Sequence, residues 1–201
     1  MMGSETKPGV SFRETMKGGF AMGETDPRTG EAKGDAAGTT LAIHCEIDIP
    51  DVYRFIGDPQ HYAAMRGHID FAPLGMNIPA QTGIFNLFSP SDNQNLKHMV
   101  YELSLKLGGQ QYYLAGKKNV RDDPGVDMWT DITTCFTRLH SGTDQGGPVV
   151  GAGVIYIKRE QLLNLIPTIH ATNTQSNEES LKVLADFGKF FMGSIWDTYS
   201  R

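Results

Sequence analysis

The chain has 201 residues, with 18 Lys and Arg against 23 Asp and Glu, for a net charge of −5. A chain of this length is expected to form one domain and to bury roughly 70% of the surface its unfolded form exposes, so it needs no disulfide or metal staple. The composition, 39% hydrophobic and 20% charged, excludes a disordered tail. The acidic balance and a pI near 5.6 argue against a phosphate-backbone binder, so no nucleic acid is expected as a partner. Mean hydropathy is −0.31 and no apolar run approaches the roughly 18 residues of a membrane span. Glycine is frequent, with 23 residues. That points to many turns and bends, and so to a strand-rich fold.

Residues 1–10 are polar and are expected to be loose, with a single domain over 11–201. No apolar signal core is visible at the start, so the expected location is the cytoplasm. The stretch from Phe12 to Met22 reads as a first strand broken by Gly18 and Gly19. Residues 23–38 hold no large apolar side chain and read as a long charged, Gly-rich loop.

Residues 39–49 carry the cleanest pattern. Leu41, Ile43, Cys45, Ile47 and Ile49 alternate with Ala42, His44, Glu46 and Asp48, which predicts an antiparallel strand with one buried face. A short helix is expected after Pro50. A second is expected over 59–66, with Asp58 as its N-cap, Pro59 at its first position and Gly67 as its C-cap.

Further strands are predicted at His68–Phe71, Thr82–Phe88 and 97–107, the last alternating through Met99, Tyr101, Leu103 and Leu105. Gly108-Gly109 is a two-residue hairpin signal leading into Gln111–Lys117. Met128–His140 and Val149–Lys158 read as the last strands, and a short helix from Arg159 ends before Pro167. Ser176 and Glu179 have capping-box spacing. Leu181, Leu184, Phe187, Phe191, Ile195 and Tyr199 then follow helical spacing. This predicts a long C-terminal amphipathic helix over a sheet or barrel mouth.

About eight strands with few intervening helices predict a mainly β chain, α+β at the margin. The expected architecture is an antiparallel β-barrel or β-sandwich, lipocalin-like. A strand followed by a short helix occurs near 39–56 and again near 149–166, a weak echo that suggests a pseudo-repeat of two halves.

Most motifs of chemistry fail on inspection. Val149 to Gly153 starts like a dinucleotide fingerprint, but Tyr156 stands where its last glycine belongs and a strand follows. No cofactor is expected. The six histidines show no metal spacing. His44-Cys45-Glu46 lacks the cysteine pair of a zinc deaminase, and alternation puts Cys45 on the opposite face, so no metal is expected. Cys45 and Cys135 sit in apolar strands and read as reduced, buried thiols.

Asp122, Asp123, Asp127 and Asp131 cluster around Pro124-Gly125, which is ordinary turn chemistry without a calcium-loop register. Lys106, Lys117, Lys118 and Arg121 form a basic patch that reads as a solvated face. No catalytic set is assigned. A ligand pocket could draw on Phe85, Asn86, Tyr112, Lys117 and Trp129, which come from neighbouring β segments.

Several segments resemble a known family. They are Phe12–Gly18 (FRETMKG), Gly83–Phe88 (GIFNLF), Leu114–Asp131 (LAGKKNVRDDPGVDMWTD) and Gly193–Tyr199 (GSIWDTY). Together they resemble the accessory β-rich domain of bacterial cholesterol-oxidase-like proteins, in which a glucose–methanol–choline oxidoreductase unit is joined to modules of this kind. The resemblance spans roughly Phe12 to Tyr199, and 116–131 is its most specific part. It implies a setting of sterol or lipid oxidation. The flavin fingerprint is missing here, and no catalytic residue carries over.

The expected function is therefore a non-catalytic accessory or binding module. It would bind a hydrophobic small molecule, a sterol or lipid, or dock a partner oxidoreductase. The alternatives are a cofactor-free enzyme using acid–base chemistry, with Asp123, Asp127 and His98 as first suspects, and a purely structural interaction module.

Overall fold

A computed structural model describes residues 7–121 and 128–199. Eight long antiparallel strands close into a barrel in the order β2-β3-β4-β5-β6-β7-β8-β1, with β1 pairing back onto β2. The strands are β1 (Gly9–Met22), β2 (Thr40–Ile49), β3 (Tyr62–Phe71), β4 (Gly75–Pro90), β5 (Leu96–Leu107), β6 (Gln110–Arg121), β7 (Thr134–Ser141) and β8 (Val149–Tyr156). The open choice between barrel and sandwich is thus settled as a lipocalin-like barrel. Closure leaves few unpaired strand edges, the usual liability of an antiparallel sheet.

A short β9 (His170–Thr172) pairs with the start of β1, at Gly9–Ser11. β8 pairs with β1 only from Lys17 onward. Arg13 lies between these two partners. The Thr168 hydroxyl accepts from its N–H at 2.9 Å, while its single hydrogen is shared between the Leu165 carbonyl at 2.7 Å and the Arg13 carbonyl at 3.3 Å, so one side chain stands in for part of a missing rung.

Strand alternation sorts side chains cleanly. Leu41, Ile43, Cys45, Ile47 and Ile49 are buried inside, as their spacing predicts. Gly108 and Gly109 have φ of +54° and +87°, and Leu107 pairs with Gln110, which makes the expected two-residue hairpin. β4 is long and carries a register shift between Asn86 and Ser89.

The helices are α1 (Pro27–Ala37), α2 (Val52–Gly57), α3 (Met128–Thr133), α4 (Arg159–Leu165) and α5 (Asn177–Tyr199). In α5 Val183, Phe187 and Ile195 are buried, and the helix covers one end of the barrel. Phe187 packs near Phe12 and Phe55, and Phe191 near Phe88. Its N-terminus is capped by Ser176, whose Oγ accepts from the Glu179 N–H at 3.1 Å. No helix among the described residues is long and apolar enough to cross a membrane.

Four expectations are corrected. Residues 23–38 are not a loop. Asp26 caps α1 by accepting from the Thr29 N–H at 2.9 Å, Pro27 occupies the first turn, and Gly38 ends it at φ +70°. This helix has no apolar stripe because it docks through backbone. A Cβ on Gly30 would collide with the Ala152 carbonyl, and one on Gly34 with the Phe20 amide.

Residues 59–66 are not a helix either. The helical turn is α2, and β3 already begins at Tyr62, drawn into the sheet by β2 and β4 on either side. The segment 128–133 is helical rather than strand, and β7 begins only at Thr134. Finally, β1 starts at Gly9, so 9 and 10 belong to the barrel rather than to a loose end.

Candidate functional site

Three arrangements stand out, one inside the barrel and two on its outer wall. Inside, Glu14 of β1, Tyr101 of β5 and Lys118 of β6 meet. Lys118 is fully buried, and its Nζ lies 2.9 Å from Glu14 Oε1 and 3.0 Å from the Tyr101 hydroxyl. The same hydroxyl donates to Glu14 Oε2 at 3.2 Å. The Lys118 ammonium also sits 4.6 Å from the centroid of the Tyr101 ring, a cation–π contact. Each charge is thus met by an opposite charge and by hydrogen bonds, the condition under which an ion pair is tolerated in a core.

Large apolar side chains close around this cluster. Phe85 packs edge-on against Tyr101 at 5.2 Å and against Phe12 at 6.0 Å. Cys45 lies opposite Glu14 across the β1–β2 ladder, and Cys135 is also buried. Burial and the Glu14 charge push the Cys45 thiol well up, and burial pushes Cys135 up to about 11. Burial, then Glu14, likewise holds the Tyr101 phenol well above its usual range. Both thiols and the phenol therefore stay protonated at neutral pH, and the thiols are not nucleophiles.

On the outer wall, a groove of about 390 Å³ runs between the start of α1 and strands β5 to β7. Arg28, Lys117, Arg121 and Arg138 line it, together with Asp26 and Glu102. It continues past Asn119 and Phe136 into a smaller groove beside Thr130 and Asp131. The acids here are already engaged. Asp26 caps α1, Glu102 accepts from Tyr113 and Gln145, and Asp131 accepts the Arg121 N–H. Arg28 lies 5.0 Å above the Phe136 ring and pairs with Glu31, while Arg138 donates to the Thr25 carbonyl. Lys117 and Arg121 make no side-chain ion pair or hydrogen bond among the described residues.

The third arrangement lies on the outer face of β2 and β3. His44 and His68 are a directly opposed cross-strand pair, and their rings stack at 4.5 Å with an interplanar angle of 17°. Asp70 Oδ2 lies 3.1 Å from His44 Nε2.

The residues singled out in the sequence do not line one pocket. Phe85 is inside the barrel, whereas its neighbour Asn86 faces out and donates to the Gln60 carbonyl at 3.0 Å. Tyr112 is half-buried against the core. Lys117 lines the outer groove, and Trp129 is 39% exposed on α3. Of the acidic cluster, Asp131 lines the smaller groove, while Asp122, Asp123 and Asp127 lie outside the described residues. His98 is on β5, where burial and then Lys117 lower its pKa. The basic patch is also rearranged. Lys118 turns inward, and Arg28 and Arg138 join Lys117 and Arg121 instead.

Sequence reasoning missed Glu14 and Lys118. The signal was present in alternation: Glu14 falls between Phe12 and Met16 on one face of β1, and Lys118 between Gly116 and Val120 on β6. Comparison of the chain with protein-family models, with curated protein sequences and with solved structures finds no match.

Proposed function

We propose that this protein is a non-catalytic accessory module that docks a partner oxidoreductase acting on a sterol or lipid, and that the outer-wall groove receives an acidic segment of that partner. The class of partner comes from the resemblance of the Leu114–Asp131 segment and its companions. The mode of docking comes from the groove. The observation that carries it is the pair Lys117 and Arg121, two groove-lining cations that make no side-chain ion pair among the described residues. The groove's cations complement an acidic segment at short range, on a chain whose net charge is −5.

The packing around Glu14, Tyr101 and Lys118, with α5 over one barrel end, weighs against a lipid carried at the centre of the barrel. A second reading keeps the apolar ligand but moves it under α5, where Phe12, Phe55, Phe88, Phe187 and Phe190 gather.

A short glutamate-rich peptide tests the docking reading, followed by calorimetry and by the fluorescence of the half-exposed Trp129. Binding is expected at low ionic strength, weakening with salt and lost in the Lys117→Glu/Arg121→Glu variant. No binding, or binding indifferent to that variant, overturns it. Saturable uptake of cholesterol or oleate by a protein that ignores the peptide would favour the second reading.

A further inference from the structure

We propose that His44, His68 and Asp70 form a binding site for a divalent first-row transition metal, of the zinc type, on the outer wall of the barrel. The site is independent of the docking groove. Among the described residues these three are the group of His, Cys, Asp or Glu whose donor atoms all approach within 4.8 Å of one another. Two imidazoles and one carboxylate are a donor set that suits zinc and its neighbours, with room left for water.

The fold builds the set by register. His44 and His68 face each other across β2 and β3, and Asp70 follows His68 by two residues on the same face. No helical or loop spacing is involved, which is why metal spacing is invisible along the chain.

Two of the three donors are held from behind, and His68 stacks on the His44 ring. Asp70 Oδ1 accepts the Asn77 N–H at 2.7 Å, which orients the carboxylate and leaves Oδ2 toward His44. Asn77 adopts φ +53° to make that contact. Thr15 Oγ1 lies 3.2 Å from His44 Nδ1, on the far side of the ring from Asp70. Such outer partners fix ring orientation and tautomer in metal sites. All three donor residues are half-buried, so a metal ion can reach them while their rotamers stay restricted.

The protons balance. In neutral His44 the Nε2–H donates to Asp70, and the Thr15 hydroxyl donates to Nδ1. With metal on Nε2, the imidazole proton sits on Nδ1 and is given to Thr15 Oγ1, whose hydroxyl hydrogen turns outward. Metal bonds of about 2.0–2.1 Å place tetrahedral donors about 3.4 Å apart. His44 and Asp70 already lie at 3.1 Å. The stacked His68 ring must turn out of its nearly parallel orientation to aim an in-plane lone pair at the same ion. The charges next along the same face are paired with each other, Glu46 with Arg13 and with Arg66.

The test is titration of the full chain, free of any affinity tag, with Zn²⁺ by calorimetry and with Co²⁺ by visible absorption. One saturable equivalent is expected, with Co²⁺ d–d bands that shift when Zn²⁺ displaces it. His44→Ala, His68→Ala and Asp70→Asn should each weaken binding at least about 10-fold, and Thr15→Val about 10-fold, in the range seen for ligand-orienting partners. Circular dichroism checks that each variant folds, and His68→Gln serves where alanine does not. Absence of saturable binding to the wild-type chain overturns the proposal. So does binding that survives in the folded His44 and His68 variants, since the ion would then sit elsewhere.

Discussion

Lys117 and Lys118 are neighbours in sequence with opposite fates. One lines an open groove on the outer wall, with no ionic partner among the described residues. The other is sealed in the barrel against Glu14 and Tyr101. The difference comes from strand alternation alone, which turns successive residues to opposite faces. It teaches that charge type says little about role in a barrel wall, whereas parity along the strand says a great deal. The inner face of β6 is committed to structure, and its outer face lines an open groove.

The sharpest way to break this contrast is to remove each ammonium in turn. Lys118→Met leaves Glu14 buried without a counter-ion and should cost about 3–5 kcal/mol in urea unfolding. The double variant Glu14→Leu/Lys118→Met should recover most of that, because no charge is left uncompensated. Lys117→Met should stay within about 0.5 kcal/mol of wild type. Equal losses at 117 and 118 would refute the division of faces.

The outer wall is not tolerant everywhere, which sharpens the comparison. Gly34→Ala puts a methyl against the Phe20 backbone, and Gly30→Ala puts one against the Ala152 carbonyl. Each should cost about 1–3 kcal/mol through overpacking, despite the better helix propensity of alanine. Gain of stability in either variant would show that α1 does not rest on the wall through backbone.

Acid should act mildly, through histidines outside the central cluster. Burial lowers the pKa of His61 and of His98. The unfolded chain then binds protons that the folded chain refuses, so stability falls as pH drops through about 6.5, the unfolded value, and levels off below the folded values. Melting temperature should decline between neutral pH and pH 5, and His98→Gln should flatten the decline. A rise on acidification would contradict both shifts.

The smallest effect concerns the thiols. Ellman's reagent at pH 8 should leave Cys45 and Cys135 untouched in the native protein and titrate both after denaturation. Fast reaction of either would mean that the interior opens readily.

Much of the barrel was legible in the sequence because period-two patterning reflects burial directly. The alternation from Leu41 to Ile49 placed β2, and Gly108-Gly109 placed the hairpin. What failed was structure held by backbone rather than by apolar side chains. Helix α1 has Gly30 and Gly34 where an ordinary helix shows leucine, so it passed for a loop, although the Asp26-Pro27 cap announced it. The sites were less legible still. A strand expectation ending at Lys117 hid the inward turn of Lys118. The meeting of His44 with His68 depends on the register between two strands, which no single strand reveals.

The Thr168 hydroxyl that bridges Arg13 marks a seam in the wall. β8 has left β1 at this point and β9 has not yet joined it, so the Thr168 hydroxyl, accepting the Arg13 N–H, holds what a ladder holds elsewhere. Glu14 is the next residue along. A brief opening here would let a water molecule reach the carboxylate without unzipping the barrel. The exchange rate of the Arg13 amide would then report how often the inner charge cluster is wetted, and Thr168→Val, which removes the acceptor of that amide, should raise it.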